Sequence, residues 1–260
     1  MCWGNAVLTA KPDHILLLAG TQEARLLARE LAEKVSSASV TASFAGAVRD
    51  LPDLDIPVRV GGFGGVEGLI GYLEAEKVGL IVDATHPFAA QMSRHACEAA
   101  DRLGIDLIRL ERPAWKKRQG DRWTLVPSLE EAAAAIPRGA RVFLAIGGKE
   151  IGTFTAREDC FALARMIEPP PVQLPGHWHL ELARPPEEVE SEIALLETHG
   201  ITHLVSKNSG GERSYAKIEA ARRLGLPVIM VRYPDLPDAV TAHSVRAMLD
   251  LLTSRGVLKR

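Results

Sequence analysis

Gly20 and Thr21 stand where the apolar run HILLLAG (14–20) passes into a polar, helix-forming stretch. A helix begun there leaves its first backbone N–H groups without intrahelical partners and turns the positive end of its dipole outward, which suits a phosphate. Glu23 and Ala24 fall in the first turn of the same stretch and complete the candidate cradle. Only the first glycine of the G-x-G-x-x-G fingerprint is present, so a tight turn capped by Thr21 explains these residues equally well. A dinucleotide site reads its ribose near the end of the second strand, about twenty residues on, where an acid favours NAD and a cation favours NADP. That place reads Ser43-Phe44-Ala45-Gly46-Ala47-Val48-Arg49, with no acid before Asp50. Ser43, Gly46 and Arg49 therefore point to NADPH, against the alternative of a solvated surface arginine.

Other loops follow apolar runs in the same way. GGFGG (61–65) puts four glycines at the end of a strand-like segment, where backbone can approach a ligand closely. Gly62 and Gly64 are candidate cofactor contacts there, and Phe63 is a candidate stacking surface. DATHPFA (83–89) brings Thr85 and His86 to a proline-fixed turn. Both are candidate cofactor contacts, and His86 is also a candidate general acid, although a histidine before proline is more often a structural or hydrogen-bonding group. SKNSGG (206–211) supplies Lys207, Asn208, Ser209 and Gly210, with Arg213 and Lys217 just beyond, as donors for a phosphate or a carboxylate. Lys207 is the second candidate for a catalytic role. Residues 109–122 carry six cations against two acids, and Trp115 and Lys116 lie in the middle of them. Such a segment fits a polyanion with a flat apolar body, or simply a solvated basic surface. A metal site is not expected, because His177 and His179 have no cysteine or carboxylate partner at a recognised spacing.

The segments that must hold these loops alternate between short apolar runs and amphipathic stretches, the pattern of βα units around a mostly parallel sheet. Strands are expected over 14–20, 39–46, 57–65, 80–88 and 106–112. Helical spacing runs through Leu27, Leu31 and Val35, then Leu69 and Leu73, then Met92 to Leu103 with a stop at Gly104. After the irregular stretch 112–123 a second series begins. Ser128 with Glu131 makes a capping box, and strands are expected over 141–148, 160–167, 201–208 and 227–233. Residues 168–186 hold six prolines and read as a long surface excursion. The expectation is two Rossmann-like α/β domains with mostly parallel sheets and a ligand cleft between them: 1–112 as the dinucleotide-binding domain and 113–260 as the C-terminal domain.

Across 260 residues, 47% are hydrophobic and 25% charged, an ordinary globular balance. A formal net charge of −2 gives no global attraction to nucleic acid or to an anionic membrane. Three scattered cysteines, no signal-like start and no long apolar run make the cytoplasm the expected compartment, with neither nucleic acid nor membrane as partner.

Taken together, AGTQEAR, SFAG, RVGGFGG, VDATHPFA, RLERPAW and SKNSGG with Lys217 resemble the precorrin-6A reductase family, in order and spacing, over roughly residues 14 to 234. The resemblance implies NADPH-dependent reduction of precorrin-6A to precorrin-6B, with hydride delivered to the macrocycle, on the oxygen-dependent route to cobalamin. A similar enzyme of the anaerobic route takes the cobalt-bound substrate. The substrate is then a small-molecule polycarboxylate tetrapyrrole, met by Trp115, Lys116, Lys207, Asn208, Ser209, Gly210, Arg213 and Lys217, and a monomer is the expected state. Ala19-Gly20 and Gly147-Gly148-Lys149-Glu150 depart modestly from the family pattern. The alternatives are a non-catalytic NADP-binding protein and a sugar-nucleotide transferase on two α/β domains.

Overall fold

The computed structural model describes residues 12–35, 40–45 and 54–258. The chain divides into two compact units, one comprising Met1–Arg112 with Pro234–Arg260 and the other Pro113–Tyr233. Each is built on a six-stranded sheet in which every described pairing is parallel.

In the first unit β1 (Ile15–Ala19), β2 (Val40–Phe44), β3 (Val58–Val60), β4 (Leu80–Ala84) and β5 (Asp106–Leu110) alternate with α1 (Gln22–Lys34), α2 (Val66–Ala75) and α3 (Ala90–Leu103). All five residues of β1 are buried, because the strand is covered on both faces, as in doubly wound sheets. Ile15, Leu17 and Ala19 face Leu27 and Leu31 of α1. Leu16 and Leu18 face Leu69 and Leu73 of α2 and Ala96 and Ala99 of α3. Leucines and alanines at helical spacing thus become the two outer layers, and α3 stops at Gly104, which takes the left-handed conformation (φ 64°) that only glycine adopts without strain.

The second unit holds β6 (Arg122–Val126), β7 (Arg141–Ala145), β8 (Phe161–Met166), β9 (His179–Leu182), β10 (His203–Lys207) and β11 (Pro227–Val231), with α4 (Leu129–Ala135), α5 (Val189–Thr198) and α6 (Ala216–Arg223). Ser128 caps α4 by accepting the Glu131 N–H at 3.2 Å. The remaining elements, β12 (Val240–Ala242) and α7 (Val245–Ser254), return to the first unit.

Two expectations are corrected here. The C-terminal domain does not run from 113 to 260: β12 pairs in parallel with β5, and Met248 and Leu252 of α7 join the core around α1, so residues from 234 onward belong with the first sheet. The stretch 168–186 is not wholly an excursion, since His179–Leu182 pairs with β8 as an edge strand. Its prolines all lie outside those four residues, which leaves their N–H groups available to the ladder.

The second unit also contains a fully buried ion pair. Arg165 on β8 donates from both Nη atoms to the Glu192 carboxylate on α5, at 2.7 and 2.9 Å, while its guanidinium lies over the Phe143 ring. Removing one partner strands a charge in the core. Glu192→Ala is expected to lower unfolding free energy by about 3–5 kcal/mol in urea titration, and a loss below about 1 kcal/mol would show that the pair contributes little.

Candidate functional site

The first sheet has the order β12-β5-β4-β1-β2-β3, so the chain moves outward from β1 to β3 and resumes at β4 on the other side of β1. α1 and α3, which follow β1 and β4, pack on opposite faces. A reversal of this kind opens a ligand crevice at the strand carboxyl ends. Gly20 occupies that position. A Cβ on Gly20 would sit 3.3 Å from the His86 amide nitrogen and 3.6 Å from Thr85 Cα, so the glycine is what lets the two loops approach. Thr21 links them further: its hydroxyl accepts the Ala24 N–H and donates to the Ala84 carbonyl, each at 3.1 Å. The Ala24 amide is thereby spent on the cap and its methyl is buried.

Glu23 faces Arg112, with Nη1 3.7 Å from Oε2. Arg112 Nε and Nη2 are buried and meet no acceptor among the described residues, and Glu23 Oε2 lacks a hydrogen bond as well. Buried donors left in this way are costly unless a ligand completes them. Beneath the β4 loop, Asp83 Oδ1 accepts from the Thr85 amide (3.2 Å) and hydroxyl (2.7 Å), and Oδ2 accepts from Arg109 Nε (3.3 Å). Arg109 continues to the Pro237 carbonyl at 2.7 Å, which ties the loop to the segment that carries β12. His86 Nδ1 accepts the Phe88 N–H at 3.2 Å, so the neutral ring keeps its proton on Nε2.

One strand further out, Ser43 is buried at the end of β2 and accepts from Arg59 Nη1 at 3.3 Å. Arg59 also donates to the carbonyls of Gly61 (2.6 Å) and Gly62 (2.8 Å) and lies 3.9 Å over the Phe63 ring. Phe63 in turn meets Tyr72 edge-on at 5.3 Å. Burial, and then the Glu76 charge, push the Tyr72 phenol up, so it stays protonated near neutral pH. Gly61, Gly64 and Gly65 all have positive φ. Gly68 in α2 is required absolutely, because a Cβ there would fall 1.7 Å from the Phe63 carbonyl oxygen. Gly46 and Arg49 lie outside the described residues.

The second sheet repeats the reversal. Its order β6-β11-β10-β7-β8-β9 sets the loops after β7 and β10 side by side. Lys207 ends β10 and donates to Glu150 Oε1, on the loop after β7, at 3.2 Å. The Asn208 side chain is occupied twice by Trp115, accepting its N–H at 2.8 Å and donating to its carbonyl at 3.0 Å. Trp115 Nε1 donates to the Gly211 carbonyl at 2.7 Å. Lys217, buried, donates to the Ser214 carbonyl at 2.5 Å, with its ammonium 5.0 Å over the Trp115 ring. Ser209 and Gly210 are buried within the same loop. Lys116 is exposed, and Arg213 pairs at the surface with Glu187 at 2.9 Å. Trp115, Asn208 and Lys217 thus form one cluster with the 208–211 loop, Lys207 adjoins it, and Arg213 engages an acid outside it.

Sequence reasoning missed Arg59 as the clamp of the glycine loop and Gly68 as its seat. A signal existed for both: Arg59 stands two residues ahead of Gly61, where the glycine run begins, and a glycine inside a helix costs about 1 kcal/mol relative to alanine, which asks for a packing reason. Among the described residues no group of three or more His, Cys, Asp or Glu is placed to hold a metal, and no helix is long and apolar enough to cross a membrane.

Two parallel sheets, each reversing direction beside glycine-rich loops and buried cations, define a two-unit α/β protein of the dinucleotide-binding architecture. The chain belongs to the precorrin-6x reductase family CbiJ/CobK, whose model matches residues 14–253. It is 48% identical over 228 residues to the precorrin-6A reductase of Rhodococcus erythropolis, covering 87% of this chain and 91% of that one. Identity to the cobalt-precorrin-6A reductase of Priestia megaterium is 33%, covering 85% of this chain and 91% of that one. A solved structure of a CobK precorrin-6A reductase matches with a TM-score of 0.87 at 42% identity, covering 95% of this chain and 99% of that chain.

Hydrogen bonds from a charged group contribute about 1.5–3 kcal/mol each, so loss of the Arg59 clamp must loosen the loop it holds. In Arg59→Met, amide exchange at residues 61–65 is expected to quicken about tenfold or more while exchange in β1 and β4 stays slow. Unchanged exchange across 61–65 would show that the glycines hold their shape without Arg59.

Proposed function

We propose that this chain catalyses NADPH-dependent reduction of precorrin-6A to precorrin-6B. The observation that carries this is the first sheet's reversal point, where Gly20 packs tightly against the Thr85-His86 backbone and Thr21 caps α1 beside Arg112 donors that await an anion. These residues fit a dinucleotide: the N-terminus of α1 with Gly20 and Thr21 would hold the pyrophosphate, and Arg112 would add charge. NADPH over NADH is supported by the lack of an acid in Ser43-Phe44-Ala45 and by Arg59 reaching Ser43, with Arg49 following in sequence. When bound, the nicotinamide supplies the hydride that reduces the macrocycle.

The protein's own contribution is placement and charge. Asp83 fixes Thr85 and the backbone ahead of His86, while the Phe88 N–H on Nδ1 fits His86 to donate a hydrogen bond from Nε2–H rather than to give up a proton. In the second unit Lys207 and Lys217 offer cations to the carboxylates of a tetrapyrrole, and Trp115 orders the loop between them. Asn208 acts on substrate indirectly, since both ends of its amide hold Trp115. The cobalt-free substrate is favoured over its cobalt complex by the higher identity to the precorrin-6A reductase, 48% against 33%.

Purified protein with NADPH is expected to lose the absorbance of the reduced nicotinamide when precorrin-6A is added, and more slowly with NADH or with the cobalt complex. Tight NADPH binding without oxidation in the presence of either tetrapyrrole would overturn the assignment in favour of a non-catalytic binder. Faster turnover of the cobalt complex would reassign the substrate alone.

A further inference from the structure

Glu150 belongs to the loop that leaves β7, and its backbone is pinned by the following 3-10 turn Ile151–Phe154, whose Ile151 and Phe154 side chains are fully buried. Gly147 (φ 89°) bends the chain just before it, and a Cβ on Gly147 would lie 3.8 Å from Glu150 Oε2, so the carboxylate folds back over that bend. Its other oxygen accepts from Lys207 Nζ at 3.2 Å. The Lys207 side chain is only 12% exposed, whereas Glu150 is 36% exposed. A lysine so enclosed loses hydration and needs an anion, while a carboxylate three times as exposed can swing into water at little cost. The pair spans β7 and β10, the two strands between which the second sheet reverses, the place where open α/β sheets take their ligands.

We propose that Glu150 is a resident carboxylate that holds Lys207 in the ligand-free protein and yields it to a carboxylate of the tetrapyrrole, so that it sets how tightly substrate and product are held. This rests on the assignment of Lys207 to the substrate. Binding is then an exchange of one carboxylate for another on the same ammonium. The ammonium keeps a carboxylate throughout, and the product, which carries the same carboxylates as the substrate, is displaced by Glu150 as it leaves. Glu150 is a positioning residue acting through Lys207 and takes no part in hydride or proton transfer.

Glu150→Gln keeps the shape and removes the competing charge. In steady-state assays with NADPH and precorrin-6A, it is expected to lower KM for precorrin-6A and the inhibition constant of the reduced product by about two- to fivefold, the scale of a partly screened ion pair. The KM for NADPH should not move, and the gain should shrink at high ionic strength. Glu150→Asp, which retains the charge, stays near wild type and serves as the folded control. Lys207→Met tests the assignment underneath. If Lys207→Met raises KM for precorrin-6A about tenfold while Glu150→Gln leaves it unchanged or raises it, the exchange is refuted and the lysine keeps its role. An equal gain from Glu150→Gln in the Lys207→Met background also refutes it, because the carboxylate would then act by simple repulsion. No effect of Lys207→Met on KM removes Lys207 from the substrate site and the exchange with it.

Discussion

A parallel sheet sends every strand toward the same edge, and that polarity is the constraint on which the rest of the molecule depends. Carboxyl ends and the helix N-termini that follow them gather on one side, with their unpaired N–H groups and positive dipole ends. Where the strand order reverses, two such loops part to opposite faces and make room for a ligand. The chain uses this device twice, at β1 and β4 in one unit and at β7 and β10 in the other. Residues dispersed in sequence, Gly20 with His86 and Glu150 with Lys207, become neighbours in this way.

Ends of strands are only useful if their loops hold still. Here the loops are fixed by polar groups beneath and beside them as well as by the packing of Phe63 and Trp115 on the cores. Asp83 grips the Thr85 loop and is itself neutralised by Arg109, which reaches on to Pro237. Arg59 gathers the carbonyls of Gly61 and Gly62. Asn208 pins Trp115 to the 208–211 loop. Asp83, Arg109 and Asn208 are buried and each has its partner, the condition under which such groups specify a conformation instead of only costing desolvation.

Local periodicity carried the reading of the fold a long way, because ILLLA, LIVDA and the Leu27–Leu31 stripe each announce burial on their own. What it missed is non-local. The strands β6, β9 and β12 are three to five residues long, sit at sheet edges and are partly exposed, so neither length nor alternation marks them. Nothing near Val240 in sequence reveals that its partner is Ile108, and hence the boundary expected at 112/113 was not joined by a second one at 234, where the chain returns to the first unit. In the candidate site, glycines and cations were legible as types, but their partners were not. Asn208 reads as a free donor until Trp115 is seen to occupy it, and Arg59 reads as a strand residue until its guanidinium is seen to turn onto the glycine loop.

A crystal structure of the protein with NADP would test the central claim most directly. The account predicts the pyrophosphate against Gly20 and Thr21 at the start of α1, with Arg112 completing its oxygens. A dinucleotide seated instead on the Gly147 and Lys207 edge of the second sheet, with the β1 and β4 loops empty, would contradict it.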